Sequence, residues 1–135
     1  MIQIDGTFLY GKYSHKLLIA TGQDGNLKVV PLAFAIVEEE KRESWSFFLT
    51  MLRRHVVKER QVCVISDRHG GILSAVANDE SWQPPLGYHV FCIRHLASNL
   101  NTTHKDRKAK KMFTSAGKFG YRHFQLLSDY LLFIR

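Results

Sequence analysis

Val62-Cys63-Val64-Ile65-Ser66-Asp67-Arg68-His69-Gly70-Gly71 is the stretch on which the fold is decided. Its first four residues are an unbroken apolar run, three of them β-branched, as in a strand covered on both faces. Asp67 follows that run, and Gly70-Gly71 suits a tight strand-to-helix connection rather than a phosphate cradle, because no Walker pattern surrounds it. Ile72, Leu73, Val76 and Ala77 then recur at helical spacing. A strand feeding directly into a helix is the repeating piece of an α/β sheet.

Upstream, Trp45, Phe48, Leu49, Leu52 and Val56 fall at i, i+3, i+4, i+7 and i+11, one face of a helix. Ser44 is its expected N-cap, and Arg53, Lys58 and Glu59 are expected to point to solvent. Further back, Ile2 to Phe8 alternates apolar and polar residues, as a half-buried strand does. His15 to Thr21 and Lys28 to Val37 flank Gln23-Asp24-Gly25-Asn26, and Asp-Gly between two apolar runs predicts a hairpin. Pro31 has no N–H for a ladder, so it is expected at a bulge or an unpaired position. Downstream, Trp82 to Gly87 reads as a loop, Tyr88 to Cys92 as a strand, and a helix begins at about Ile93. Residues 105–135 have helical composition, broken at Gly117 and Gly120. The predicted order is β-β-β-α-β-α-β-α. Three antiparallel strands followed by alternating helix and strand is the layout of a ribonuclease H-like α/β fold.

Composition narrows the function classes. The 135 residues suit one domain with a real core, and 45% hydrophobic with 23% charged residues is a globular balance. No apolar run approaches the ~18 residues of a membrane-spanning helix. The strand-like start at Met1 lacks a basic leader region, so secretion is not expected. Two cysteines, Cys63 and Cys92, are too few for a disulfide framework and fit a reducing compartment. The net charge of +7 is unevenly placed: residues 1–104 hold 11 Lys/Arg against 10 Asp/Glu, whereas residues 105–135 hold 8 against 2. Such asymmetry points to a polyanion, most simply nucleic acid, with a solvated helix face as the plain alternative.

Asp5 lies at the centre of the first strand and Asp67 just past the apolar strand. Taken singly, Asp5-Gly6 could be a turn and Asp67 a helix cap. If the two strands are neighbours, both carboxylates reach one edge of the sheet, where α/β proteins collect their ligand sites. Two adjacent carboxylates repel unless a cation lies between them, and hard oxygen donors suit Mg²⁺ or Mn²⁺.

Four segments, in this order, resemble the Mutator-like element (MULE) transposase domain, including its far-red-impaired-response relatives in plants. They are Ile4-Asp5-Gly6-Thr7-Phe8, Glu43-Ser44-Trp45-Ser46-Phe47-Phe48-Leu49, Val64 to Ile72, and Cys92-Ile93-Arg94-His95-Leu96-Ala97-Ser98-Asn99. The resemblance covers residues 2 to about 113. It implies a DDE-type core on a ribonuclease H-like fold, with Asp5 and Asp67 as the first two catalytic, metal-binding acids. It also implies Mg²⁺ or Mn²⁺ as cofactor, DNA as partner, DNA cleavage and strand transfer as parent activity, and a nuclear location. A Cys-x-x-His motif at Cys92 and His95 belongs to the pattern. In the family a helical insertion and then a glutamate follow, but no glutamate occurs here after Glu80.

The expectation is therefore a partial ribonuclease H-like transposase core over 1–104 and the start of the insertion over 105–135. Such a fragment is expected to be inactive alone; a domesticated nucleic-acid-binding or transcription-regulatory protein is the alternative. The expected nucleic-acid contacts are His69, His95, Asn99, Lys105, Arg107, Lys108, Lys110 and Lys111. His69 could equally be an ordinary loop histidine. Cys92 and His95, with His89 and His104 nearby, invite zinc, but one local cysteine is a poor start for a four-ligand site, which argues against it. The run Leu126 to Ile134 is too apolar for a helix packed on one side and is expected to favour self-association.

Overall fold

A computed structural model of the chain describes residues 1–12, 14–104 and 107–116. The chain divides into two compact units, Met1–Phe91 and Cys92–Arg135. The first unit is a mixed α/β structure around a five-stranded sheet. It runs β1 (Ile2–Phe8), β2 (Lys16–Gln23), β3 (Val29–Val37), α1 (Arg42–Leu52), β4 (Val62–Ser66), α2 (Gly70–Ala77) and β5 (Gly87–Phe91). The strand order is β3-β2-β1-β4-β5. β1 pairs antiparallel with β2 and β2 with β3, while β4 is parallel to β1 and β5 to β4. The helices α1 and α2 are the two crossovers that parallel pairing requires.

One face of the sheet carries the core. Ile2, Ile4, Leu18, Ala20 and Val64 point into one cluster with Trp45, Phe48, Leu49 and Leu52 of α1 and Ile72, Ala75 and Val76 of α2. The alternation in β1 thus sorts as expected, Ile2 and Ile4 buried, Gln3 exposed and Asp5 half-buried. β4 departs from the expected double coverage: Val62, Val64 and Ser66 are buried, but Cys63 and Ile65 only half so.

The hairpin is where the sequence puts it, though its chemistry rests on Asp24 more than on Gly25. Asp24 Oδ1 accepts the Asn26 and Lys28 amides at 2.9 and 2.8 Å. The left-handed position falls on Leu27, with φ 63°. Pro31 lies in a bulge on the edge strand: Ala20 pairs Ala33 but Thr21 pairs Pro31, so Leu32 is the extra residue.

Three expectations about α1 and the turn that follows it need correction. Ser44 is not its N-cap. The helix begins after Lys41, and the Ser44 hydroxyl donates 2.8 Å to the Glu39 carbonyl, which closes the entering loop. At its other end α1 passes into a π-helical turn, Arg53–Val57. The wider turn inserts one residue into the periodicity, so Val57 (4% exposed) is buried and Val56 is only half-buried. Arg53 does not point to solvent either. Its guanidinium lies 4.3 Å over the Trp82 ring and donates to the Arg60 carbonyl at 3.0 Å and to the Ser81 carbonyl. Lys58 and Glu59 are exposed as expected.

The expected loop after α2 holds a short 3₁₀ turn, Glu80–Trp82, with Trp82 2% exposed. In the second unit α3 (Ile93–His104) and α4 (Arg107–Ala116) are in contact. Among the described residues no helix is long and apolar enough to cross a membrane. Lys105, the Gly117 and Gly120 break, and the apolar run Leu126 to Ile134 lie outside the described residues.

Candidate functional site

Asp5 and Asp67 are related by the β1–β4 register. These parallel strands pair Ile2 with Val64 and Gln3 with Ile65, and the pairing then stops. Carried two positions further, the same offset sets Asp5 opposite Asp67. β1 itself continues to Phe8, bonded on its far side to β2, with Asp5 facing Ile19. Beyond Gln3 its β4 side is therefore open. Alternation places Gln3 and Asp5 on the sheet face opposite buried Ile2 and Ile4. Asp67 is the first residue past β4, two positions after Ile65. Paired strands lie ~4.8 Å apart, and each aspartate follows its strand's member of the last pair, Gln3 with Ile65, by two residues.

Each carboxylate is anchored by one oxygen to the backbone. Asp5 Oδ1 accepts the Gly6 amide at 2.9 Å, and Asp67 Oδ1 accepts the His69 amide at 3.0 Å. Among the described residues neither has an ion-pair partner, which leaves Oδ2 of each for a ligand. Two anchored hard oxygens match a divalent cation such as Mg²⁺ or Mn²⁺ in donor type. They do not enclose one: among the described residues no group of three or more His, Cys, Asp or Glu could hold a metal.

Asp67 does not cap α2. The cap is His69, whose Nδ1 accepts the Gly71 amide at 3.2 Å. The same Nδ1 lies 3.7 Å from Glu40 Oε1. The two contacts make opposite demands on the proton, since a nitrogen that accepts from Gly71 cannot donate to Glu40. The cap is the shorter, directional contact. Space at Gly71 is tight, because a Cβ there would meet Lys41 carbonyl carbon, Trp45 Cδ1 and His69 Nδ1, each at 3.1 Å. Gly71 thus serves the close approach of α2 to α1.

Sequence reasoning missed Glu40. Its carboxylate presses on Gly6, where an added Cβ would lie 2.6 Å from the carboxyl carbon and Oε1. Gly6 shares parity with Ile2 and Ile4, so Glu40 approaches from the helix side while Asp5 faces away. The sequence signal was a glycine in mid-strand, which marks a close approach.

His89 entered the sequence reading only as a spare zinc ligand. Here its Nε2 lies 2.8 Å from Ser66 Oγ, and burial lowers its proton affinity. Cys63 is a free cysteine whose thiol is pushed up by burial, away from the thiolate that zinc takes.

The remaining candidates belong to the second unit. Cys92 precedes α3, whose Leu96 amide donates to the Cys92 carbonyl at 3.0 Å. His95 and Asn99 stand one turn apart on α3; His95 Nδ1 is buried with no hydrogen-bond partner among the described residues, and Asn99 is exposed. Lys108, Lys110 and Lys111 are exposed on α4, which Arg107 opens.

No curated protein matches the chain. The MULE transposase domain family model matches residues 1–99, a span that holds both carboxylates and the strands that align them, and the chain belongs to that family.

Proposed function

We propose that these residues form part of a DDE-type transposase catalytic domain, with Asp5 and Asp67 as two of three metal-binding acids and DNA as partner. The observation that supports this is the register of β1 and β4, whose offset, carried two positions past the last pair, would bring Asp5 opposite Asp67. The sheet order β3-β2-β1-β4-β5, antiparallel in its first three strands and parallel in the rest, supports a ribonuclease H-like fold. Bound there, Mg²⁺ or Mn²⁺ would activate a water or 3′-hydroxyl and stabilise the leaving oxygen of a phosphodiester. The chain's own part is to fix the ligand oxygens: the Gly6 and His69 amides each hold one oxygen of a carboxylate. The reading carries with it a nuclear location and self-association through the Leu126 to Ile134 run.

Within the 135 residues no glutamate follows Glu80, so these residues do not themselves supply a third acid in the family's position. The chain alone should therefore bind Mn²⁺ weakly and leave supercoiled DNA uncut. Titration of Mn²⁺ followed by electron paramagnetic resonance should show binding lost in both Asp5→Ala and Asp67→Ala. Unchanged binding in either variant would overturn the shared site, and metal-dependent nicking that vanishes in both would overturn inactivity alone.

A second reading, nucleic-acid binding or transcriptional regulation without cleavage, is favoured by exposed Lys108, Lys110 and Lys111 on α4. It calls for duplex binding that weakens steeply with salt and shows little sequence preference. Neutralising the three lysines should flatten that salt slope; an unaltered slope would return them to an ordinary solvated face.

A further inference from the structure

Ser66, the last residue of β4, is a buried hydroxyl, 1% exposed. Its Oγ has two partners, the Asp67 carbonyl oxygen at 2.6 Å and His89 Nε2 at 2.8 Å. A hydroxyl has one proton to give, and a carbonyl can only accept. The Ser66 proton is therefore committed to Asp67, and Oγ must accept from the ring. That requires the proton of His89 on Nε2. The chain of donation runs from His89 Nε2–H to Ser66 Oγ–H to the Asp67 carbonyl.

The pairing pattern gives this link its importance. β4 loses β1 after Ile65, but its pairing with β5 continues one residue further, Ser66 with Phe91. Among the described residues, the end of β4 that carries Asp67 is thus held from the β5 side. Downstream, the His69 amide holds Asp67 Oδ1 at 3.0 Å. The carbonyl of Asp67 is fixed by Ser66 and its carboxylate by His69, and together they set where Oδ2 points.

We infer that His89 is a positioning residue for the Asp67 carboxylate, acting through the Ser66 hydroxyl. The inference rests on Asp5 and Asp67 forming a metal site. Without the ring, the Ser66 hydroxyl loses the donor that fixes its rotor. The Asp67 peptide then loses one of its two restraints, and Oδ2 its fixed aim.

Two measurements on the full chain test it. In ¹⁵N NMR of the wild type at neutral pH, His89 should show a protonated Nε2 and a bare Nδ1; the opposite tautomer would overturn the link whether or not any variant folds. In a Mn²⁺ titration, His89→Ala should weaken binding on the order of 10-fold, as loss of groups that orient metal ligands does. His89→Gln, which keeps a donor at similar reach, should restore most of it. Because the effect passes through Ser66, the His89→Ala/Ser66→Ala double variant should bind no worse than the weaker single one. Additive losses would overturn the route. Asp67→Ala separates the two ideas. Wild-type affinity there would sink the metal site and this inference together. Lost binding there, with wild-type affinity in a folded His89→Ala, would sink this inference alone.

Discussion

The two faces of the sheet are built differently. On the helix side Leu18, Trp45, Leu49 and Ile72 are wholly buried, at 0% exposure. On the opposite face Phe34 and Ile36 remain 60% and 68% exposed, although they alternate along β3 with the half-buried Ala33 and Ala35. Asp5 belongs to this second face, and Asp67 follows the end of β4. Two helices closing one face bury the apolar surface that stabilises the fold. A carboxylate among those apolar side chains would lose its hydration without compensation; Glu40, on that side, lies at the rim beside His69. Stability is concentrated on one side of the sheet, which leaves the other able to hold charge.

The largest expected effect tests that division directly. Leu52→Ala on the closed face should cost ~2–5 kcal/mol in a denaturant melt. Phe34→Ala or Ile36→Ala, on the open face, should change stability by under ~1 kcal/mol. A cost at Phe34 equal to that at Leu52 would break the comparison, because it would mean the second face is also covered in solution. Next in size is Arg53→Ala, which removes the donor to the Ser81 and Arg60 carbonyls and the stack on Trp82. It should cost about 1–3 kcal/mol; a neutral result would mean the guanidinium is solvated after all.

A smaller contrast lies within the π-helical turn. Val57→Ala should cost about 1–2 kcal/mol for two lost methyl groups, and Val56→Ala clearly less. The reverse order would restore an uninterrupted α-helix. The smallest effect concerns His89, whose proton affinity burial depresses in the folded state. Unfolded, the ring titrates near ~6.5. Its contribution is therefore fully present above that pH and is lost as pH falls below it, through the lower folded value. His89→Gln should lessen the fall in melting temperature below pH ~6.5. An unchanged acid profile would mean the ring is not desolvated.

Most strands and both crossover helices were legible because each buries one face and so prints its period in the sequence. Pro31 was legible for a simpler reason: it lacks a donor. The π-helical turn was not. It opens with Arg53, which reaches Trp82 and Ser81 nearly thirty positions away, and nothing in the local spacing of Val56 and Val57 announces that contact. Ser44 misled because a serine before an apolar stripe is a good cap, and only the loop geometry shows its hydroxyl turned to Glu39. For the site, Asp5 stood out as an acid at the centre of a strand and Asp67 as an acid just past an apolar one. Their alignment, the approach of Glu40 to Gly6 and the link from His89 to Ser66 all depend on register and packing between distant segments.

The central claim is that Asp5 and Asp67 share a divalent cation. A crystal of the chain grown with Mn²⁺ and measured near the manganese absorption edge tests it most directly. The account predicts an anomalous peak bonded to an oxygen of each carboxylate, at about 2.0–2.3 Å, on the sheet face that carries Gln3 and Ile65. Carboxylates more than ~12 Å apart, or on opposite faces of the sheet, with no peak between them, would contradict it, since one ion or a close pair spans only ~4 Å between metal centres.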